Sequence, residues 1–288
     1  MKDGVNMKIT VLGTAAATSF PLAFCKCEIC KSARINGSKD FRRRSSIVIN
    51  DDLLVDMGPD CVTSSFLYGI DISNIKYLVQ THPHSDHFDG GIFVTRHKEY
   101  ATSESNHLDI ICSQKTFSEM NVMVKRNEPS YDLNLEQNKS NMNFDYIPIK
   151  KDQIVKVGNY TIHAIDSLHD PRLEALIYII TFKNKNILYA TDLLKLNDEA
   201  WDILKKYKLD VIFIDQTYGK GYNAGGHTDA EMISNYILKM KNEAIIDNNT
   251  LIYATHISHE GNNVHSIMEK EAVNNGYHIA YDGMIIEL

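Results

Sequence analysis

The run Tyr77-Leu-Val-Gln-Thr-His-Pro-His-Ser-Asp-His87 sets three imidazoles and a carboxylate within six positions, directly behind an apolar stretch that reads as a strand. Groups packed this densely would face one another unpaired or desolvated unless a cation joined them. A loop leaving a strand end can turn several side chains toward one point. Neutral imidazole plus carboxylate is the donor set that a borderline divalent ion such as zinc accepts. The fold must therefore bring a strand end, and the loop after it, to a place with room for metal.

The rest of the chain alternates. Strand-like runs fall at 7–12, 46–55 (with a turn at Asp51-Asp52), 75–80, 108–112, 145–149, 160–167, 175–182, 186–190, 210–214 and 251–255. Helical patterns fall at 59–68, 88–97 and 116–125, from Thr228, and near Val264. Interleaved strands and helices indicate mixed α/β layers, and 288 residues suffice for one large domain spanning 1–288. Residues 1–6 precede a second methionine, Met7, and are expected to be a disordered overhang. The polar, asparagine-rich stretch 127–143, with Pro129 inside it, is expected to be a long loop or lid. The last strands are expected to pair through a turn at Asp282-Gly283.

A formal charge of −7 argues against an extended track for nucleic acid, which needs clustered Lys and Arg. No run is long and apolar enough to span a membrane, and no secretory leader is evident, so a cytoplasmic protein is expected. Of five cysteines, three crowd into Cys25, Cys27 and Cys30. In a reducing compartment that spacing suits metal ligation better than a disulfide framework, while Cys61 and Cys112 read as core thiols. His97, His107, His163, His265 and His278 stand alone and are read as residues making one ordinary hydrogen bond each.

The pattern His82-x-His84-x-Asp86-His87 resembles the signature of metallo-β-lactamase-fold hydrolases, and the likeness extends from Gly13-Thr14 to Asp282-Gly283-Met284. The resemblance implies an α/β fold, the αββα four-layer sandwich with metals at one edge. It also implies that His82, His84 and His169 hold one ion, that Asp86, His87 and His256 hold a second, and that Asp192 bridges them. The later three each follow an apolar strand, so their side chains can converge on one sheet edge. Asp56 reads equally as an acceptor orienting a ligand histidine or as a turn residue before Gly58.

Three thiols spaced as Cys25-x-Cys27-x-x-Cys30 form half of a compact metal site. His259, three residues beyond His256, is placed to complete it. With these features the chain resembles the phosphoribosyl 1,2-cyclic phosphate phosphodiesterases of the carbon-phosphorus lyase pathway. The resemblance implies a structural zinc at this second site. In Gly225-Gly-His227-Thr-Asp229, His227 occupies the place of an active-site histidine. It would contact phosphate or act as the general acid, or else simply open a helix beside a cap at Thr228. In Arg42-Arg43-Arg44, one guanidinium could meet a sugar phosphate, with at least two of the three expected to be solvated.

The expectation is a dinuclear phosphodiesterase with catalytic residues His227 and Asp86. It would use two divalent ions, zinc or manganese, plus one structural zinc, and would act on a small phosphodiester such as phosphoribosyl 1,2-cyclic phosphate. A membrane partner is not expected, and a homodimer is compatible with the sequence. Fold alone also admits a tRNA 3′-processing nuclease, a lactone or thioester hydrolase, or a metal-dependent sensor without turnover.

Overall fold

Burial of the strands decides the layering, because apart from those at the sheet edges they are covered on both faces. A computed structural model describes residues 7–101, 105–222 and 224–288; the expected overhang at 1–6 lies outside them. The chain runs β1 (Lys8–Gly13), α1 (Glu28–Asn36), β2 (Ser46–Ile49), β3 (Leu53–Val55), α2 (Cys61–Tyr68), β4 (Tyr77–Val79), α3 (Gly90–Val94), β5 (Leu108–Cys112) and α4 (Gln114–Asn127). It continues with α5 (Glu136–Met142), β6 (Phe144–Pro148), β7 (Ile154–Val157), β8 (Tyr160–Asp166), β9 (Leu176–Phe182) and β10 (Lys185–Ala190). The final third holds α6 (Asp198–Leu204), β11 (Val211–Asp215), α7 (Ala230–Asn242), β12 (Leu251–Thr255), α8 (His265–Asn274), β13 (His278–Ile279) and β14 (Ile285–Glu287).

Among the described residues two seven-stranded sheets form, ordered β14-β1-β2-β3-β4-β5-β6 and β13-β12-β11-β10-β9-β8-β7. Along β9, Leu176, Tyr178 and Ile180 join a core that also holds Ile9, Val55, Val79 and Ile111 of the first sheet. Their neighbours Ile177 and Ile179 point the other way, to Trp201, Ile233, Ile237 and Met268 of α6, α7 and α8. The outer face of the first sheet packs on Cys61, Phe93, Phe117, Met120 and Met142. The result is helix, sheet, sheet, helix: the expected αββα sandwich. Strands β3 to β6 run parallel, as do β10 to β13, so the carboxyl ends of β4, β10, β11 and β12 open onto loops where ligands usually bind.

Several expectations need correction. Residues 127–143 are not a free lid. They contain α5, and Tyr131, Leu133 and Met142 are buried in the outer core. Asparagines hold the segment down: Asn138 donates to the carbonyls of Ser130 and Asp132, and Asn121 accepts from the Leu133 N–H at 2.7 Å. The pattern read as a helix over 88–97 yields only the short α3. Asp282-Gly283 is no hairpin, because β13 and β14 belong to different sheets and the turn carries the chain between them. The Asp282 carboxylate accepts from Thr14 Oγ1 and the Arg43 N–H, both at 2.7 Å. Gly283 sits at φ 85°, where a Cβ would meet the Tyr68 ring at 2.5 Å.

The three arginines are not a solvated run either. Arg42 is buried, donating to the Ala280 carbonyl at 2.6 Å and to Thr14 and His265 at 2.9 Å. Arg43 bonds Tyr68, and Arg44 pairs with Asp60. Among the described residues no helix is long and apolar enough to cross a membrane.

If 127–143 is packed rather than mobile, Met142→Ala should lower unfolding free energy by about 2–5 kcal/mol in urea titrations, as for a buried core truncation. A change below about 1 kcal/mol would show the segment to be detachable.

Candidate metal centre

Five strand ends deliver the polar side chains. The loop after β4 carries His82 to His87, that after β8 carries His169, that after β10 carries Asp192, β11 ends in Asp215, and β12 leads into His256. The β4 loop is tied across to the other sheet, where Tyr178 donates to the Gln80 carbonyl at 2.9 Å and the Leu176 N–H to that of Thr81 at 3.1 Å. Both sheets therefore position the site.

Asp192 lies at the middle, 2% exposed. One oxygen, Oδ2, is 3.0 Å from His82 Nε2 and 3.5 Å from His169 Nε2, and His82 Nε2 is in turn 2.9 Å from His84 Nδ1. The other, Oδ1, is 2.8 Å from His256 Nε2 and 3.4 Å from His87 Nε2. Asp86 Oδ2 completes that side, 3.1 Å from His87 and 3.5 Å from His256. Two sets of four donors result, His82, His84, His169 and Asp192 against Asp86, His87, Asp192 and His256. Within each set the donor atoms lie within 4.8 Å of one another.

The far nitrogens of four imidazoles are fixed from behind. Asp56 accepts from His87 Nδ1 at 2.7 Å, and the Gly226 carbonyl accepts from His169 Nδ1 at 2.7 Å. Thr217 gives its hydroxyl proton to Asp215 at 2.7 Å, which leaves its oxygen to accept from His256 Nδ1, also at 2.7 Å. Thr81 likewise donates to Asp56 and accepts from His82 Nδ1 at 3.0 Å. With Nδ1 carrying the proton in each ring, the Nε2 lone pairs face inward, the tautomer a metal requires. Asp56 thus acts as an orienting acceptor. Asp56, Leu168, Asp192 and His256 also hold φ between 53° and 62°, a left-handed conformation costly for residues other than glycine and concentrated at this centre.

The donor set fits a divalent cation. His87 Nε2, Asp192 Oδ1 and His256 Nε2 are buried without a hydrogen bond, since their close approaches lack bonding geometry. Burial alone would depress His87 and His256, yet the carboxylates outweigh it, raising His87 well above the ordinary range and His256 to about 10. Burial would likewise raise Asp86 and Asp192, but His87 and His256 hold both well below the usual carboxylate range. The pocket demands positive charge, as protons or as metal.

His227 stands beside this centre, its ring 4.5 Å from that of His169, its Nδ1 donating to Asp215 Oδ2 at 2.8 Å. Burial works against its protonation, but Asp215 outweighs it and the pKa is raised. Thr228 is not the helix cap. Asp229 caps α7, while Thr228 Oγ1 donates to the Asp215 carbonyl.

Asp215 itself escaped the sequence reading, though it ends an apolar strand as Asp56 and Asp192 nearly do. It is fully buried and accepts from Leu193 N–H at 3.0 Å and Thr217 N–H at 2.6 Å besides His227. A cavity of about 860 Å³ lined by Leu168, His169, Leu194, Gly226, Lys150 and Lys195 adjoins the centre.

A second cluster gathers Cys25, Cys27, Cys30 and His259, donor atoms within 4.8 Å. His259 Nδ1 is 3.8 Å from Cys27 Sγ and 3.7 Å from Cys30 Sγ. The Cys30 N–H and His259 draw the Cys27 thiol down to about 6, and burial pushes Cys30 up to about 11. The isolated histidines have ordinary partners, such as Tyr207 for His163 and Glu269 for His278. Cys61 and Cys112 are buried among apolar side chains.

A family model described as "Anti-Pycsar protein Apyc1" matches residues 44–266. No curated protein matches the chain. Among solved structures, a diphosphatase from the PhnP family is 21% identical over 99% of this chain and 98% of its own, with a TM-score of 0.73. The metallo-beta-lactamase fold protein YhfI from Bacillus subtilis is 19% identical over 98% and 100%, TM-score 0.68. Zn²⁺-bound PqqB from Methylobacterium extorquens is 15% identical over 98% and 100%, TM-score 0.70. These likenesses establish the metallo-β-lactamase fold.

Without metal, His256, its pKa raised to about 10 by Asp192 and Asp86, carries a proton at pH 7, and the same carboxylates shift His87 in the same direction. Metal binding should therefore release protons, about one or more per centre. Calorimetry in buffers of different ionisation enthalpy will read this number, and binding should weaken as pH falls. Proton uptake, or affinity that grows in acid, would contradict the donor assignment.

Proposed function

The chain belongs to the Apyc1 family of anti-Pycsar proteins, and on that premise we propose that it is a dinuclear, metal-dependent phosphodiesterase acting on a small cyclic phosphate. Phosphoribosyl 1,2-cyclic phosphate or a nucleotide-like cyclic phosphate is the substrate class in view. His82, His84 and His169 would hold one ion, Asp86, His87 and His256 the other, and Asp192 would serve both. The observation that carries this reading is the buried Asp192 carboxylate, each of whose oxygens faces a different set of imidazoles. A divalent pair supplies Lewis acidity toward phosphoryl oxygen and lowers the pKa of water.

The chain's own groups supply the rest. Asp86 places negative charge on one side only, which makes the two metal positions unlike. His227, its Nδ1 held by Asp215 and its pKa raised by that carboxylate, lies with its ring against that of His169, which lines the cavity. There it serves as the general acid for the departing alkoxide. The glycines before it adopt φ near 82°, letting the Gly226 carbonyl reach His169. Cys25, Cys27, Cys30 and His259 are proposed to hold a structural zinc that anchors the N-terminal loop.

Turnover of ribose cyclic phosphates and of bis-aryl phosphates with zinc or manganese tests the assignment. No hydrolysis of any phosphodiester, beside good turnover of a thioester or lactone, would defeat it. His227→Ala should lower kcat by roughly 10²–10⁴ on substrates with alkoxide leaving groups, the usual contribution of a general acid. The loss should shrink for a p-nitrophenolate leaving group, which needs no proton. An equal loss on both would assign His227 to binding instead.

A further inference from the structure

Cys27 and Cys30 are arranged for thiol chemistry as well as for holding metal. Cys27 is the N-cap of α1, its sulfur accepting the Cys30 N–H at 3.4 Å, and it is exposed whereas Cys30 is buried. A Cys-x-x-Cys opening a helix with its first thiol outward is the layout found where disulfides form and break. The two sulfurs already lie within 4.8 Å of each other. Cys61 and Cys112 are buried in the outer core and cannot compete for an oxidant.

The cluster is mechanically joined to the metal centre. His259, which both sulfurs face, closes a four-residue stretch that begins at His256. The His256 backbone sits at φ 59°, and such strain persists only where the surroundings hold the residue from both sides. On one side, Thr217 accepts from the His256 ring at 2.7 Å and from Ser258 Oγ at 2.7 Å. On the other, the Ile257 N–H donates to the Thr14 carbonyl at 2.8 Å and the Ala16 N–H to that of Ile257 at 3.1 Å. Thr14 and Ala16 begin the loop that leads to the cysteines, so His259 bound to Cys27 and Cys30 closes a ring around His256.

We infer that Cys27 and Cys30 form a reversible oxidation site: a peroxide or a small disulfide joins them, frees His259, and thereby loosens His256 in the neighbouring centre. The inference rests on the proposed function for its activity readout and for the zinc these thiols would hold, whereas the disulfide itself is read independently of both. With peroxide, the Cys27 thiolate attacks one oxygen, the O–O bond breaks, and the departing hydroxide takes a proton to become water. Cys30 sulfur then displaces the hydroxyl of the resulting sulfenic acid, forming the S–S bond and a second water. Two thiols give up two electrons and two protons, and the peroxide takes both. A small disulfide does the same by exchange, leaving as two thiols.

Zinc-loaded wild-type protein treated with hydrogen peroxide or oxidised glutathione tests this. Trypsin cuts after Lys26 and Lys31, so the peptide from Cys27 to Lys31 carries both thiols and excludes Cys25. The expected peptide is two hydrogens lighter, with about one ion per chain released to a chromogenic chelator. Catalytic kcat/KM should fall roughly 10- to 100-fold, as when a ligand histidine loses its support, and recover with dithiothreitol and zinc. If the untreated protein hydrolyses no phosphodiester, the proposed function fails, and the ions retained by the His and Asp donors become the readout, expected to fall on oxidation. A peptide that stays a dithiol overturns the inference. So does a disulfide that forms while both activity and retained metal are unchanged.

Discussion

A carboxylate almost sealed from water, Asp192, faces imidazole nitrogens on both sides, and the rest of the structure follows from what its charge requires. Burying an ion is expensive unless opposite charge and hydrogen bonds surround it. The sandwich solves this by bringing loops from both sheets to one edge, so that His82, His84 and His169 approach one oxygen while His87 and His256 approach the other. Neither sheet alone could do so. The contact of Tyr178 and Leu176 with the β4 loop fixes the distance between the two halves of the site.

Behind the inner donors stand two more buried carboxylates with parallel duties. Asp56 receives Gln80, both polar groups of Thr81, and His87, which settles the early histidine loop. Asp215 receives Thr217, Leu193 and His227, and through Thr217 it also orients His256. A single side chain thus sets both a donor of the centre and the candidate proton donor beside it. Left-handed backbone at Asp56, Asp192 and His256 is the conformational cost of aiming these groups inward, and the dense hydrogen bonding holds it in place.

Much of this was legible in advance wherever local pattern and chemistry coincide. The histidine run after β4 declares itself by density, and His169, Asp192 and His256 each follow an apolar strand, which is where a sheet edge can gather them. The bounds of β5 coincide with the strand-like run at 108–112. What stayed hidden depends on partners distant in sequence. Arg42 looks solvated until Thr14, Ala280 and His265 are brought around it. Asp282-Gly283 has turn chemistry, but only tertiary pairing reveals that its strands join different sheets. The 127–143 segment is polar because asparagines tie its backbone down, so composition suggested a lid where there is a packed helix. The edge strand β7 is half exposed, with Ile154 and Lys156 outward and Val157 alone buried, so it lacks the continuous apolar run that marks the inner strands.

A pair of cations sharing the Asp192 carboxylate is the proposed heart of this centre. Diffraction from crystals grown with zinc or manganese, recorded across the metal absorption edge, would locate them directly. Two anomalous peaks about 3.5–4 Å apart, one against each oxygen of Asp192, are the predicted result. A single peak, or peaks remote from Asp192, would contradict it.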